Sequence, residues 1–302
     1  DPASSDAALA MPSCNKSRFI VFLTLGLAAF LNPARPALAQ TTTIVDANNS
    51  PYTVPGTTIA AGDTVRVVSG GSLDPNQGSI ATAGTLEFAP TAAGGAVSLG
   101  NFLSGTGTVL KTGDGTLNVN SGNQTFAGNW RFEEGVTVTT DVGSSITNNS
   151  SNYYGPNATW TFAGGFFQVA NNGRDFGIGQ KEIIITPDGG GIDVSLQTTG
   201  VQSIEGADGG TRLGITGSGS FTVKGVGTPN AGFLLQPFVA FTNQNTYSGS
   251  TILDGGAFVL NPNSFDSGGS CFGTSVVTLT QGATLSSTFN STTIGNPRTS
   301  CR

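Results

Sequence analysis

The sequence predicts an all-β fold in which many short parallel strands are stacked on one another. Three observations support this: a passage that recurs at a fixed offset, glycine-rich corners, and short apolar stretches that alternate with Thr, Asn and Ser. The two copies of the passage are QTFAGNWRFEEGVTV (Gln124 to Val138) and NTYSGSTILDGGAFV (Asn245 to Val259), which lie 121 residues apart. A strand-plus-glycine-turn unit that recurs is typical of repeat proteins, so we expect a stack and not a globule.

The two copies share their apolar positions and their glycines. At the 121-residue offset Phe132 aligns with Leu253, and a glycine follows three residues later in each copy. We expect Phe132 and Leu253 to occupy equivalent inward-facing sites just before a polar corner. A Gly-x-Gly and an apolar run closed by a lysine precede each copy: GTGTVLK ends at Lys111 and GSGSFTVK ends at Lys224.

Strand candidates three to five residues long recur after Gln40, while glycine or proline interrupts most windows before a ten-residue helix could form. Glycine, at 45 residues, is about twice as frequent as usual and supplies the tight corners. The candidates are Thr64 to Val68, Thr85 to Phe88, Thr108 to Lys111, Thr116 to Val119, Val136 to Thr139, Thr159 to Phe162, Phe166 to Val169, Glu182 to Thr186, Ile192 to Leu196, Ser220 to Val223, Thr251 to Leu253, Phe258 to Leu260, Val276 to Leu279 and Ala283 to Leu285.

Strands this short bury too little surface alone, but each layer of a parallel stack covers the next. With about 20 to 25 residues per layer, the chain after Gln40 makes on the order of eleven layers. At about 4.8 Å per layer the rod is some 50 to 60 Å long. The alternative is a β-sandwich with strands at 8–12-residue spacing, but the glycine corners and the long-offset repeat favour the stack.

The amino terminus predicts export. Lys16 and Arg18 precede an apolar run, Phe19 to Leu31, and a small-residue site ends at Ala39. This order is typical of a secretory signal peptide, so we expect residues 1–39 to be leader and signal, with cleavage between Ala39 and Gln40. A membrane anchor or a buried helix is the alternative, although thirteen residues span only about 20 Å of a ~30 Å hydrocarbon core.

Two cysteines remain after the predicted cleavage site, Cys271 and Cys301. In an oxidising compartment such a pair is a candidate disulfide. The alternative is that both thiols are free.

The composition argues against several kinds of activity. The chain has no histidine, so a Ser-His-Asp or Cys-His centre and histidine-based zinc sites are ruled out. The net charge is −6 and the basic residues are scattered, which argues against a nucleic-acid partner. We expect no catalytic residues, no metal and no cofactor.

Two groups of residues are nevertheless candidates for ligand contact. Tyr153, Tyr154 and Trp160 lie beside an Asn-Ser-rich stretch and could stack on sugar rings, or else pack in the core. Glu133 and Glu134 form the densest acidic pair, and paired carboxylates are the catalytic groups of glycosidases. Strand alternation would turn adjacent residues to opposite sides, however, so we expect these two not to face one sugar.

The second copy and its flanks resemble a known family. GSGSFTVKG (Gly217 to Gly225), NTYSGSTILDGGAFVLN (Asn245 to Asn261) and VVTLTQGATLSS (Val276 to Ser287) are similar to the autotransporter-associated β-strand repeat of secreted bacterial passenger domains. The similarity covers residues 101 to 287, with repeat units near 101–140 and 213–287.

The resemblance implies that residues 40–302 form a right-handed parallel β-helix displayed outside the cell. It implies an adhesin or a structural exoprotein at the bacterial surface. Its partners would be host-surface or matrix glycans or proteins, or further copies of the chain. No series of alternating ten-residue strands precedes Arg302, so we expect a passenger truncated before its outer-membrane anchor. The alternative function is a polysaccharide lyase or hydrolase on the same scaffold.

Overall fold

The computed structural model describes residues 39–120, 125–139, 154–155, 157–169, 182–193, 195–196, 201–204, 215–225, 238–241, 245–260, 272, 274, 276–287 and 299–301. All of them belong to the unit Leu38–Arg302. No α-helix occurs within these ranges. Three single 3-10 turns, at Pro55–Thr57, Pro75–Gln77 and Ala92–Gly94, interrupt the strands.

The strands are two to five residues long, as expected for a chain so rich in glycine corners. They are β1 (Thr42–Val45), β2 (Thr58–Ile59), β3 (Thr64–Val68), β4 (Ser79–Thr82), β5 (Thr85–Ala89), β6 (Val97–Leu99), β7 (Phe102–Gly105), β8 (Thr108–Lys111), β9 (Thr116–Val119), β10 (Asn129–Phe132), β11 (Val136–Thr139), β12 (Thr159–Phe162), β13 (Phe166–Val169), β14 (Ile183–Ile185), β15 (Gly190–Asp193), β16 (Val201–Ile204), β17 (Ile215–Gly217), β18 (Phe221–Lys224), β19 (Phe238–Phe241), β20 (Thr251–Asp254), β21 (Ala257–Leu260), β22 (Val277–Thr280), β23 (Thr284–Ser287) and β24 (Thr299–Cys301).

The strands form long sheets on three faces of one solenoid. Face 1 has the order β1-β3-β5-β8-β10-β12-β14-β17, and face 2 has the order β6-β9-β11-β13-β15-β18-β20-β22-β24. Face 3 holds β2-β4-β7 in the first rungs and β16-β19-β21-β23 in later ones, a rung being one circuit of the chain. Every pairing among these strands is parallel. The fold is a right-handed parallel β-helix, which confirms the predicted class and excludes the β-sandwich.

The length of a rung agrees with the expected 20 to 25 residues in the first circuits and varies in the later ones. Aligned positions on face 1 run Thr42, Thr64, Thr85, Thr108 and Asn129, so the first circuits take 21 to 23 residues. The next circuit, from Asn129 to Thr159, takes 30. Among the described residues face 1 counts eight rungs, and β20, β22 and β24 add three on face 2, which agrees with the prediction of on the order of eleven.

The core is built from columns of inward side chains, because successive residues of a strand point to opposite sides of the sheet. On face 1 one inward column contains Val109, Trp130 and Trp160, all at most 1% exposed. The neighbouring column contains Phe88, Lys111, Phe132 and Phe162 in register. The core is therefore continuous along the rod, with one lysine inside it.

The two copies of the recurring passage lie on different faces. Phe132 and Leu253 both point inward and are 1% and 0% exposed, as predicted. The expectation that they occupy equivalent sites is wrong: Phe132 belongs to β10 on face 1, whereas Leu253 belongs to β20 on face 2. The repeated unit encodes a corner, a strand and a glycine turn, and each face can accommodate that unit.

The corner that opens each copy has the same close backbone approach. A Cβ on Gly128 would lie 2.0 Å from the carbonyl oxygen of Gly107, and one on Gly249 would lie 2.1 Å from that of Gly219. Only glycine fits where one rung passes so near the previous one. A Cβ on Gly107 or Gly219 would likewise lie 2.2 Å or 1.7 Å from a carbonyl oxygen of the rung before it, so the Gly-x-Gly that precedes each copy meets the same steric need.

All fourteen predicted strands overlap observed ones. Some strands that the sequence did not indicate, such as β4 and β10, carry polar or small residues on their outer side. The candidate Ile192 to Leu196 is displaced, since the strand is Gly190–Asp193 and begins on glycines of low strand propensity. Pairing with both neighbouring rungs outweighs that propensity.

Candidate functional site

An open groove of about 500 Å3 lies where face 1 turns into face 2. Its lining comes from four successive rungs: acidic and basic side chains of the fifth and seventh rungs form the walls, and small residues of the sixth form the floor. We call it the corner groove and define it by Thr112, Arg131, Glu133, Glu134, Ala163, Gly164 and Asp188.

The groove exists because the sixth rung has no large side chain at this corner. Ala163 and Gly164 follow β12 there, between Glu133 and Glu134 on the fifth rung and Asp188 on the seventh. Gly164 has φ +112°, and a Cβ on it would lie 2.5 Å from the carbonyl oxygen of Glu133. Backbone crowding thus keeps the floor bare.

The charges of the groove are mainly negative. Arg131 Nε lies 2.7 Å from Glu133 Oε1, so one carboxylate is already paired. Glu134 and Asp188 are exposed and complete the acidic walls. Such a site can accept hydrogen bonds from hydroxyl or ammonium groups.

The expectation that Glu133 and Glu134 face opposite sides is wrong. β10 ends at Phe132, so both glutamates lie in the corner, where strand alternation no longer applies. Both line the corner groove. The sequence signal that could have shown this is Gly135, whose φ of +64° turns the chain directly after the pair.

Lys111 lies beneath the groove and was not predicted as a buried residue. It is 2% exposed, and its Nζ donates hydrogen bonds to the carbonyl oxygens of Thr112 (2.9 Å), Gly113 (2.7 Å) and Glu134 (2.9 Å). Burial lowers the pKa of Lys111 to about 8, although the nearby Glu134 and Asp114 act in the opposite direction. The available signal was its spacing of two from Val109, an inward residue of the same strand.

The aromatic candidates for glycan contact are in the core. Tyr154 is 1% exposed and Trp160 is 0% exposed, so neither can stack on a sugar from outside, and the alternative of core packing is correct. Their rings meet edge to face at 5.2 Å, and burial raises the pKa of the Tyr154 hydroxyl. Parallel pairing with β10 and β14 forces this, because Trp160 falls in the inward column. Tyr153 lies outside the described residues.

Phe166 lies close to these buried aromatic residues in the sequence, but its side chain is partly exposed on the outside of the solenoid. It is half-buried on β13, whereas Phe167 next to it is fully buried. The Lys224 ammonium lies 3.9 Å from the centre of the Phe166 ring. A basic side chain therefore already occupies the exposed side of this ring.

The remaining predicted residues stay predictions. Ala39 and Gln40 are both exposed at the start of the described part of the chain, and the cleavage between them is not tested by the fold. Cys271 lies outside the described residues. The backbone of Cys301 belongs to β24, and its side chain is not described, so the disulfide stays a prediction as well.

Neither a metal centre nor a membrane helix is found in the part of the chain that the structure describes. Within those ranges no three His, Cys, Asp or Glu side chains come together in a way that could hold an ion. No helix there is long and apolar enough to cross a membrane.

Comparison with known proteins adds no relative. No protein-family model, no curated protein and no solved structure matches this chain. The fold therefore rests on the structure itself, and membership of the autotransporter passenger family stays a proposal.

Proposed function

We propose that the chain is an exported, non-catalytic rod of a bacterial surface, acting as an adhesin or a structural exoprotein. The observation that supports the proposal is that large side chains fill the core. Inward columns run from rung to rung and contain the largest buried side chains, including Trp130, Trp160 and Phe132. Because side chains fill the interior, a ligand or partner would have to bind on the outer faces.

The outer surface suits a rigid rod in water. On face 2 one outward column contains Gln168, Asp193, Lys224, Asp254 and Thr280 in register. Gln168 Nε2 donates to Asp193 Oδ2 at 3.1 Å, and Thr280 Oγ1 donates to Asp254 Oδ1 at 2.6 Å. Side-chain hydrogen bonds thus connect neighbouring rungs on the outer surface, in addition to the backbone hydrogen bonds of the sheet.

The test is direct binding by the purified chain. We expect it to bind some immobilised host glycans or matrix proteins, or to self-associate in sedimentation. We also expect no turnover of any polysaccharide. Failure to bind any surface or to self-associate would contradict the proposal, and so would loss of a polysaccharide's chain length on incubation.

A carbohydrate-active enzyme is the second candidate, and the corner groove is the observation that favours it. Glu133, Glu134 and Asp188 line one open site, which the strand-alternation argument had ruled out for the two glutamates. Pectin, alginate and glucans would be screened with the chain and with Glu134→Gln and Asp188→Asn. Turnover that both variants abolish would establish the enzyme, whereas no turnover on any polymer would remove it.

A further inference from the structure

The first strand of the solenoid forms an open edge of face 1 among the described residues. β1 is the terminal strand of that sheet and pairs there with β3 alone. The Thr64 amide donates to the Thr41 carbonyl oxygen at 2.8 Å, so the odd-numbered residues of β1 direct their backbone groups towards β3. The N–H and C=O groups of Thr42 and Ile44 therefore point the other way, towards the open edge.

This edge has none of the features that normally discourage pairing with another chain. Such features are charged side chains, proline and β-bulges on the edge strand. The sequence of β1 is TTIV, which is uncharged and consists of residues that favour strands. Ile44 is 55% exposed, whereas Arg66 and Glu87, which continue its outward column, are charged and form an ion pair. The edge is therefore suited to accept a further strand.

A pocket of about 150 Å3 lies at the same end of the solenoid. Its lining comes from the first rung and the beginning of the second, and includes Thr43 of β1 together with the buried residues Val54, Ile59 and Val65. The end repeats of a solenoid normally present a polar cap to water. An open strand edge beside a pocket for side chains is instead the arrangement that proteins use to bind a partner by strand addition.

The edge is complementary to a second copy of itself in antiparallel orientation. When the edge-facing residues of two copies pair, Thr42 lies opposite Ile44 of the second copy, and Thr43 lies opposite its own equivalent on a two-fold axis. The same register places Gln40 opposite Asp46. After the predicted cleavage Gln40 carries the α-ammonium group, and Asp46 belongs to neither of the two ion pairs found among the described residues. Two symmetric ion pairs would thus form across the axis.

We propose that β1 is a dimerisation edge: two copies of the chain join end to end, with their β1 strands antiparallel and face 1 continuous through both. The inference rests on the proposed function, because self-association is one of the activities expected of the rod. A half-turn about the normal to face 1 produces the arrangement and brings both pockets to the interface, where each copy covers the apolar lining of the other. The dimer is isologous and therefore closed.

The first experiment measures association of the exported, purified chain by sedimentation equilibrium. We expect a monomer–dimer equilibrium. Ile44→Lys should raise its dissociation constant at least about tenfold, because like charges then face each other across the two-fold axis. Leu196→Lys is the matched control, since Leu196 is 51% exposed and lies outside the strands; its dissociation constant should equal that of the wild type. Circular dichroism should be the same for all three proteins.

Asp46→Asn tests the two ion pairs. Loss of two exposed ion pairs should raise the dissociation constant about fivefold at low ionic strength, and added salt should weaken the wild-type dimer by a similar factor. Asp114→Asn, which removes an exposed charge on a later rung, should leave the constant unchanged. An Asp46→Asn variant that associates as tightly as the wild type would contradict the pairing of Gln40 with Asp46.

A disulfide reports the register directly. In the proposed dimer Thr43 faces its own equivalent in a pair without hydrogen bonds, where the two Cα atoms lie about 4.5 Å apart, a distance that suits a disulfide. Oxidised Thr43→Cys should therefore form a covalent dimer, and mass spectrometry should find the peptide linked through two copies of position 43. Thr42→Cys is the control, because its equivalent lies diagonally across the axis at about 7 to 8 Å, and it should not give the corresponding link.

Three results would overturn the proposal: a wild type that stays monomeric, an Ile44→Lys variant that associates as the wild type does, and a Thr43→Cys variant without the link between two copies of position 43. A monomeric chain that binds a glycan or a matrix protein would overturn this inference and leave the proposed function intact. A chain that neither binds nor associates would contradict both.

Discussion

Truncation of Phe132 to alanine tests the inward register of face 1. Phe132 is 1% exposed, and its ring centre lies 5.5 Å from that of Trp160, 5.0 Å from that of Phe162 and 6.1 Å from that of Phe167. A buried Phe→Ala change costs about 3 to 5 kcal/mol, and aromatic pairs of this kind contribute about 0.5 to 1.5 kcal/mol each. The rungs on either side are fixed by sheet hydrogen bonds and cannot collapse into the cavity. We therefore expect a loss near the upper end, about 4 to 5 kcal/mol.

The damage should be local, because each rung of a solenoid contacts only its neighbours. We expect urea to unfold the region around Trp130 and Trp160 first, with a lower midpoint of the fluorescence transition. Limited proteolysis followed by mass spectrometry should then cut near the fifth rung and leave the first three rungs protected.

Arg131→Ala is the control for Phe132→Ala. Arg131 points outward from the same strand, and its ion pair with Glu133 is about one-third exposed on both sides, so its loss should cost less than about 1 kcal/mol. Equal shifts of the midpoint in the two variants would refute the inward column. Simultaneous digestion of the entire chain of Phe132→Ala would refute the independence of the rungs.

Three further predictions test the repeat and the amino terminus. Leu253→Ala should cost about 2 to 5 kcal/mol and expose the carboxy-terminal rungs to protease while the amino-terminal rungs stay protected; an unchanged digestion pattern would contradict its burial. Gly128→Ala and Gly249→Ala should each cost about 3 kcal/mol in urea unfolding, because the new Cβ would meet a backbone oxygen, whereas Gly100→Ala, which has open space, should change stability by less than about 0.5 kcal/mol. Mass spectrometry of material exported by a Gram-negative host should find a first residue Gln40, and an intact amino terminus in the membrane fraction would indicate an anchor instead.

Local features of the sequence were sufficient to predict the class of fold. Short stretches with alternate apolar residues form strands in any sheet, and the glycines at 128 and 249 are required by the passage of one rung against the previous one. These properties depend on residues a few positions apart or on the neighbouring rung. For that reason the parallel stack, the number of rungs and the burial of Phe132 and Leu253 could all be predicted.

The functional site was predicted less well. Tyr154 and Trp160 are aromatic residues of the kind that stack on sugar rings. Parallel pairing of β12 directs Trp160 into the core, however, and Tyr154 is buried against it. Glu133 and Glu134 were predicted to face opposite sides, because the sequence does not show that a strand ends at Phe132. The reason is that β10, with the sequence NWRF, has polar residues on its outer side and does not resemble a strand.

What the sequence determined by itself is the repeating unit: a strand with one apolar side, closed by a glycine corner. What only the tertiary structure decided is where each unit lies around the axis. Phe132 and Leu253 come from the same unit yet lie on faces 1 and 2, and Lys111 and Lys224 close similar runs yet point inward and outward. The physical reason is that a strand's face depends on the summed length of all preceding corners, and its inward side on a register in which a single residue reverses every side chain.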